Sequence, residues 1–427
     1  MSLDDSPEAL RAALSQLREQ HKHFVNSELA LDLTRGKPAT AQLDLSNALL
    51  GPIDSHSAGT DLRNYGGLDG LPAAKALCAE LLGIAAETAQ ARLLVGGNSS
   101  LSLMHAVVSF ANFLGLAGQA WSDEKNQTGQ ATKILCPSPG YDRHFAICEQ
   151  LGIEMLVMPL TGQGPDMDAL EEAAQDHSVK GIWCVPRFSN PSGEVYSDAT
   201  VARLAALPKI AANNFLVLWD NAYALHAFHD KAPALASIEH EADKAGTLNQ
   251  VVQFGSTSKM TFAGSGISYL ASSETTKQAF AKHLAKVSIG PDKLNQQRHV
   301  NLLKDAATAK AHMRRHAEIL APKFNAVLQA LDAGLAGCNM GDWSEPEGGY
   351  FVSFDARPGL ANKIVALAAE AGVKLTPAGA TFPYGRDPED RNIRLAPSFP
   401  ALEEVQRAAE VFVNCVQIAS LEDALSR

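Results

Sequence analysis

One lysine follows a buried strand in segment 251–266 and is surrounded by small residues. The apolar run VVQF breaks into Ser256, Thr257 and Ser258, and Lys259 follows at once. Partial desolvation of a lysine disfavours the ammonium form and leaves a nucleophilic amine. The adjacent hydroxyls and free backbone N–H groups suit a phosphate. The segment therefore predicts a site for a cofactor with an aldehyde at one end and a phosphate at the other, pyridoxal 5′-phosphate, although an ordinary lysine in a surface loop is the commoner origin of such a segment.

A glycine- and serine-rich turn between a strand and a helix offers a second place for a phosphate. Residues 96–100 read GGNSS, between the apolar run RLLV and a helix that begins near Leu101. Asn98, Ser99 and Ser100 would stand at the helix N-terminus, where free N–H groups and the helix dipole favour an anion. A plain capped helix start explains the same pattern.

An aspartate ends another apolar strand, FLVLWD, and a tyrosine follows it three residues later. A carboxylate in that position, Asp220, needs a cationic partner or several hydrogen bonds. A protonated pyridine nitrogen is such a partner, and its protonation makes the ring an electron sink. Tyr223 could reach the 3-oxygen of the ring. The alternative is a structural aspartate that caps the next turn.

Three further residues have side chains that suit the same cofactor or its substrate. Asn190, in SNPSG, could donate to the phenolate oxygen, although an Asn-Pro pair is usually only a turn. Tyr141, after PSPG, could stack on the pyridine ring or simply pack at a helix start. Arg394, in the apolar run NIRLAP, requires a planar anion, either a substrate carboxylate or a structural carboxylate.

Composition excludes several other classes of protein. The formal net charge is −11, from 36 basic and 47 acidic residues, which argues against nucleic-acid binding. Six scattered cysteines without a C-x-x-C motif favour a reducing, cytoplasmic setting and disfavour a zinc site or a disulfide framework. The N-terminus lacks the apolar core of a signal peptide, and no apolar run is long enough to span a membrane, so we expect no membrane association.

The elements that must position these residues alternate between strand and helix patterns. Strands are predicted at 133–136, 154–160, 181–185, 215–220, 251–255 and 267–271, with helices between several of them. Such alternation indicates an α/β fold with a mostly parallel sheet in a large three-layer domain, and ligands at the C-terminal ends of its strands. No G-x-G-x-x-G is present, which counts against a nicotinamide-binding domain. Residues 122–132 are predicted to form a mobile surface loop.

The pattern divides the chain into four parts. We expect residues 1–60 to form an N-terminal helix and a strand and turn that join the small domain, and residues 61–290 to form the large cofactor-binding domain. Residues 291–335 are connecting helices, and residues 336–427 form a smaller α+β domain.

The order and spacing of these motifs resemble the fold-type I pyridoxal-phosphate enzymes, specifically the class I aminotransferases. The resemblance covers about residues 28–415 and is carried by YGGLDGLP, SNPSG, WDNAY, STSK and NIRLAP. The segments LDLTRGKP, GGNSSLSLMH, CPSPGYDRHF and STSKMTFAG are similar to those of a bacterial subgroup of aspartate aminotransferases. The resemblance implies a homodimer that transfers an amino group between an amino acid, aspartate above all, and 2-oxoglutarate.

The resemblance also implies a role for each site residue. Lys259 would form a Schiff base with the cofactor and then move the proton, while Arg394 would bind the substrate α-carboxylate with Gly36 closing over it. Tyr65 would reach the phosphate of the neighbouring subunit. The cofactor itself would be held by the residues of four further motifs: Asp220 at the pyridinium, Tyr223 and Asn190 at the 3-oxygen, Tyr141 on the ring, and Asn98, Ser99, Ser100 and Ser256 at the phosphate.

The sequence departs from the family pattern at the phosphate. The family usually places an arginine about eight residues after the lysine, where this chain has GSGIS at 264–268. Either hydroxyls and helix ends hold the phosphate alone, or a basic residue arrives from elsewhere. An aspartate enzyme also needs a cation for the side-chain carboxylate, for which Arg35 is the candidate and Lys37 the reserve.

Two alternative functions remain open at this point. One is the sensor domain of a transcription regulator, which would carry a DNA-binding domain in front of this fold; only about 27 residues precede the region that contains LDLTRGKP, and the chain is acidic. The other is a pyridoxal-phosphate β-lyase or decarboxylase. No motif indicates which substrate bond is broken, so analysis of the products must distinguish an aminotransferase from a β-lyase or a decarboxylase.

Overall fold

The computed structural model describes residues 3, 5–116 and 118–426. Met1, Ser2, Asp4, Ala117 and Arg427 lie outside the described residues, and with them the first and last residues of the predicted domain limits.

Fourteen strands occur in the described part of the chain. They are β1 (Leu31–Asp32), β2 (His56–Ser57), β3 (Thr60–Asp61), β4 (Leu93–Val95), β5 (Lys133–Ser138), β6 (Glu154–Pro159), β7 (Val179–Cys184), β8 (Leu216–Asp220), β9 (Val251–Ser256), β10 (Ser268–Ala271), β11 (Gly341–Trp343), β12 (Val352–Ala356), β13 (Val373–Lys374) and β14 (Asn392–Leu395).

Fifteen α-helices are found over the same described ranges. They are α1 (Pro7–Asn26), α2 (Thr40–Asp44), α3 (Pro72–Leu82), α4 (Ala89–Arg92), α5 (Ser100–Phe113), α6 (Trp121–Thr128), α7 (Asp142–Gln150), α8 (Met167–Ala174), α9 (Asp198–Ala206), α10 (Ile238–Ala245), α11 (Glu274–Leu284), α12 (Lys293–Leu303), α13 (Ala306–Leu335), α14 (Ala361–Glu370) and α15 (Leu402–Ser426).

Seven strands form the central sheet in the order β4-β10-β9-β8-β7-β5-β6. Only β10 runs against its neighbours β4 and β9, so the predicted mostly parallel sheet is confirmed. Alternate residues of one strand enter different cores: Ile134 and Cys136 pack with α5 and α7, whereas Leu135 packs with α8 and α9. Helices therefore cover both faces, and the α/β fold in three layers is confirmed.

A second, antiparallel sheet lies further along the chain, in the order β11-β12-β14. The N-terminal segment joins this region because β1 pairs in parallel with β13, Leu31 opposite Val373. Helices α1, α13, α14 and α15 share one apolar core with these strands. The four predicted domain limits stay a prediction.

The predicted loop at 122–132 is wrong over most of its length, because α6 occupies it. Trp121 is buried at the start of the helix and donates its indole N–H to the carbonyl of Asn214 at 2.9 Å. Glu124 contacts the buried amine of Lys180, and Gly129 ends the helix in the left-handed region at φ 74°. The polar composition of the segment does not predict these contacts with distant residues.

None of the helices in the described ranges is long and apolar enough to cross a membrane.

Candidate active site

The C-terminal ends of five parallel strands, β4, β9, β8, β7 and β5, meet at one edge of the central sheet. A cavity of about 130 Å³ lies there. Its walls include eight of the residues that the sequence singled out: Ser99, Ser100, Tyr141, Asn190, Asp220, Tyr223, Ser256 and Lys259. Residues far apart in the sequence thus meet in one pocket because each ends, or soon follows, a strand of the same sheet.

Lys259 projects into this cavity from the turn after β9. Its Nζ lies 5.0 Å from the ring centroid of Tyr223. Burial lowers the pKa of the Lys259 amine, although the carboxylate of Asp220 acts in the opposite direction. A lowered pKa increases the fraction of neutral, nucleophilic amine at neutral pH.

Asp220 is the last residue of β8 and is only 2% exposed. Its Oδ2 lies 3.0 Å from Nε2 of His144. Its other oxygen, Oδ1, is buried and has no hydrogen-bond partner among the described residues. Because an unpaired buried carboxylate oxygen is costly, this atom calls for a donor from a bound group.

His144, which the sequence analysis missed, holds the carboxylate of Asp220 in place. Its ring stacks on Trp183, with centroids 4.1 Å apart and planes 5° apart, and it meets Tyr141 edge-on at 4.9 Å. His144 lies three residues after Tyr141, one helical turn away in α7. That spacing was the available signal, since it places both rings on one side of the helix.

Both cavity tyrosines remain protonated at neutral pH. Burial and the nearby carboxylates of Asp220 and Asp142 raise the pKa of Tyr141 to about 12. Burial also raises the pKa of Tyr223 well above its usual value. Each phenol can therefore donate a hydrogen bond to an anionic oxygen of a ligand.

Serine hydroxyls and a helix start form the other end of the cavity. Ser99 caps α5, its Oγ accepting from the N–H of Leu101 at 3.2 Å. Ser256 Oγ lies 2.8 Å from Ser258 Oγ, and Ser258 also lines the cavity. Among the described residues that line the cavity, Lys259 is the only cation.

The side chain of Asn98 is occupied within the protein. Its Oδ1 accepts from the N–H of Gly266 at 2.7 Å and from Ser258 Oγ at 3.2 Å, while its Nδ2 donates to the carbonyl of Ala263. Asn98 therefore fastens loop 256–266 to the start of α5, and it is not among the residues lining the cavity.

Arg394 lies in β14 with most of its guanidinium buried. Its Nη1 is 3.3 Å from Asp142 Oδ1 and from Asn190 Oδ1, and its Nη2 contacts the Thr34 carbonyl and Thr376 Oγ1 at 3.4 and 3.3 Å. Its Nε has no partner within the described part of the chain. These long contacts leave donors for a planar anion.

Gly36 and Arg394 both contact the ring of Phe351. A Cβ on Gly36 would lie 2.5 Å from Cζ of Phe351, and the same ring has its centroid 4.8 Å from the Arg394 Cζ. The absence of a side chain permits this approach, which places Gly36 against the ring that also contacts the guanidinium.

Asn98, Gly36 and Arg394 do not line the cavity, and neither do the three remaining predicted residues, Arg35, Lys37 and Tyr65. Arg35 is exposed, and the amine of Lys37 lies 3.6 Å above the ring of Phe399. Tyr65 is 85% exposed.

Comparison with known proteins gives a consistent result. Residues 5–427 match the family described as aspartate amino-transferase. The chain is 43% identical over 412 residues to an aspartate aminotransferase of Corynebacterium glutamicum, covering 95% of this chain and 93% of that protein.

Solved structures agree with this match. The crystal structure of an aspartate transaminase from Corynebacterium glutamicum superimposes with a TM-score of 0.93 at 42% identity, covering 99% of both chains. The α-aminoadipate aminotransferase of Thermus thermophilus, complexed with N-(5′-phosphopyridoxyl)-L-leucine, shares the fold with a TM-score of 0.73 at 22% identity and 93% coverage of both chains.

Proposed function

The chain belongs to the aspartate aminotransferase family, and from that premise we propose that it is a pyridoxal 5′-phosphate enzyme that transfers the amino group of aspartate to 2-oxoglutarate. The observation that carries the proposal is the unpartnered Oδ1 of Asp220 in the cavity that also holds Lys259. When bound, the cofactor supplies an electron sink for the substrate α-carbon.

The residues present fit this cofactor at each of its ends. Asp220 Oδ1 would accept the proton of the pyridine nitrogen, and Lys259 would bond to the aldehyde carbon. Tyr223 and Asn190 would donate to the 3-oxygen, and Tyr141 would pack on the ring. Each of these side chains lines the same cavity.

The groups available to bind the phosphate are hydroxyl groups, because Lys259, which would bond to the aldehyde, is the only cation among the described residues that line the cavity. Ser99, Ser100, Ser256 and Ser258 line it, at the N-terminus of α5. Free N–H groups and the helix dipole favour an anion there. We propose that these groups hold the phosphate in place of the usual arginine, with Asn98 fixing the loop that carries two of the serines.

Arg394 is the proposed partner of the substrate α-carboxylate, and Gly36 covers it. Arg35 is the proposed partner of the side-chain carboxylate of aspartate, because Lys37 is engaged with the ring of Phe399. In a ping-pong cycle the same cations would then bind 2-oxoglutarate, which also carries two carboxylates.

A homodimer is proposed as the active unit. Tyr65 follows Asn64 in an exposed turn that the amine of Lys293 holds from α12, through the carbonyls of Asn64 and Gly66. An ordered turn that presents an exposed ring suits contact with a second copy, where Tyr65 would reach the phosphate. Six free cysteines suit the proposed cytoplasmic location.

The half-reactions provide the test of cofactor and substrate together. The protein loaded with pyridoxal 5′-phosphate should show a visible absorption band that aspartate bleaches and 2-oxoglutarate restores. A band that responds only to another amino acid would reject aspartate and keep the aminotransferase. The absence of any band would reject the cofactor, and release of ammonia or carbon dioxide without an acceptor would favour a β-lyase or decarboxylase.

The Gly36→Ala variant tests the proposed substrate cover. Its Cβ would collide with the buried ring of Phe351, and overpacking of this kind costs about 1–3 kcal/mol. We expect KM for aspartate to rise and kcat/KM to fall about 5- to 150-fold, with little change in cofactor binding. Gly51→Ala is the matched control, because the backbone φ of Gly51 is −69° and its Cβ would lie 3.3 Å from the carbonyl oxygen of Ala48, a tight contact but not the 2.5 Å overlap found at Gly36. Equal KM values for the two variants would contradict the assignment.

A further inference from the structure

A buried polar network contacts the backbone of Lys259. Tyr350 donates its hydroxyl to the carbonyl oxygen of Lys259 at 3.2 Å. Tyr350 is fully buried, at 0% exposure, and immediately precedes Phe351, which touches Gly36 and the Arg394 guanidinium. One dipeptide therefore contacts both the lysine and the proposed substrate-carboxylate site.

Gln42 continues this network to the N-terminal segment. Its Nε2 donates to the hydroxyl of Tyr350 and to Nδ1 of His316, each at 3.1 Å. Its Oε1 accepts from the N–H of Ala39 at 3.0 Å, directly after segment 35–38. Gln42 is itself 0% exposed, so all of its polar atoms are committed to these three partners.

The hydroxyl of Tyr350 acts both as a hydrogen-bond acceptor and as a donor. It accepts from Gln42 and donates to Lys259, which leaves no freedom in its orientation. Buried polar networks with every member satisfied rigidify the groups that they join. The main chain at Lys259 and the main chain at Ala39 are thus connected through two side chains, although they are far apart in the sequence.

Two histidines of α13 lie beside the network. Nδ1 of His316 accepts from Gln42, and Nε2 of His312 donates to the carbonyl of Met260 at 2.8 Å. The carbonyls of Lys259 and Met260 therefore each accept a hydrogen bond from a buried side chain. Burial lowers the pKa of His316 to about 3 and also lowers the pKa of His312, so both rings are neutral and add no positive charge near the lysine amine.

We propose that Gln42 and Tyr350 are positioning residues that tie the backbone of Lys259 to the segment covering the substrate. The inference rests on the proposed function, because it concerns how the lysine amine is aimed at a substrate held by Arg394 and Gly36. The amine must act at two atoms, the cofactor aldehyde carbon and the substrate α-carbon proton. Misplacement of a reacting group by about 1 Å costs roughly 10²-fold in rate.

The variants Tyr350→Phe and Gln42→Leu remove the network while preserving most of the side-chain volume. In each we expect kcat for the aspartate half-reaction to fall about 10- to 100-fold, with a smaller change in KM. The rate at which the cofactor-free protein forms its visible band with added pyridoxal 5′-phosphate should fall as well. In the double variant kcat should fall no further than in the more impaired single variant, because the two side chains act through one link.

Tyr196→Phe provides the matched control. Tyr196 is 2% exposed, nearly as buried as Tyr350, and its hydroxyl also bonds to a backbone group, that of Val185, but its ring packs on Trp219 within the core of α8 and α9. It should match the wild type in kcat and in the rate of band formation. Circular dichroism and the Tm of each variant report whether its fold is kept, and Gln42→Leu alone decides the question where Tyr350→Phe fails to fold.

The results separate the two proposals. A wild-type protein that forms no band overturns both the cofactor and the positioning role. A wild-type band, together with folded variants whose kcat and rate of band formation stay within about twofold of the wild type, overturns the positioning role alone. Losses that simply multiply in the double variant would also overturn it, because they would show that Gln42 and Tyr350 act separately.

Discussion

Replacing Lys259 with alanine is expected to abolish transamination and leave the fold intact. The amine lies in the cavity on the turn after β9, and burial lowers its pKa. It is also the only cation among the described residues that line the cavity. Its removal takes away both the covalent attachment and the proton transfer at the α-carbon. General acid–base catalysis alone is worth roughly 10²–10⁴-fold, so kcat should fall by at least that factor.

The attachment can be measured separately from turnover. After incubation with pyridoxal 5′-phosphate and reduction with borohydride, the wild-type chain should gain the mass of one cofactor at Lys259, and Lys259→Ala should gain none. Lys244→Ala is the control, because that lysine is an exposed member of a surface ion pair with Glu241. Wild-type turnover by Lys259→Ala, or cofactor attached at another lysine, would contradict the assignment.

Much of the site could be predicted because its residues end, or soon follow, apolar strands. The runs that end at Asp220 and Ser256 are short and largely hydrophobic, which is typical of buried parallel strands. Once those strands are known, the topology of a parallel sheet places their C-terminal ends together without any knowledge of side-chain contacts. Lys259, Asp220, Asn190 and Tyr141 meet in the cavity for that reason.

The supporting side chains could not be predicted in this way. Gln42 and His316 come from α2 and α13, Tyr350 lies just before β12, and the three meet only after the N-terminal segment packs on α13. Each looks ordinary in sequence: a glutamine in a short helix, a histidine in a long one, and a tyrosine after two glycines. Their significance arises from pairing between distant elements, which local periodicity does not encode.

The prediction of a loop at 122–132 is wrong for the same reason, contacts between distant parts of the chain. Its polar residues favour exposure locally, but Glu124 is held by Lys180 and Asn214 from other strands and loops. Tertiary contacts therefore stabilise a helix that the composition of the segment does not predict.

The Asp220→Asn variant separates a functional aspartate from a structural one. Asparagine keeps the shape and can still contact His144, but it lacks the charge that holds a proton on the pyridine nitrogen. Breaking a buried charge pair typically costs about 3–5 kcal/mol, which corresponds to roughly 10²–10⁴-fold in rate when the pair is needed in the transition state. We expect kcat to fall in that range and cofactor affinity to fall with it. Asp220→Ala should be at least as impaired.

Stability measurements make the distinction sharp. In the cofactor-free protein Oδ1 of Asp220 is a buried carboxylate oxygen without a partner among the described residues, whereas asparagine can keep the contact of the other oxygen with His144 and carries no charge to desolvate. The unfolding free energy of cofactor-free Asp220→Asn should therefore equal or exceed that of the cofactor-free wild type, whereas the extra stability gained on adding pyridoxal 5′-phosphate should shrink. An aspartate that merely supported the fold would give the opposite pattern: a cofactor-free variant with a lowered Tm and an unchanged gain on binding. Chemical denaturation of both proteins with and without the cofactor decides between these two outcomes.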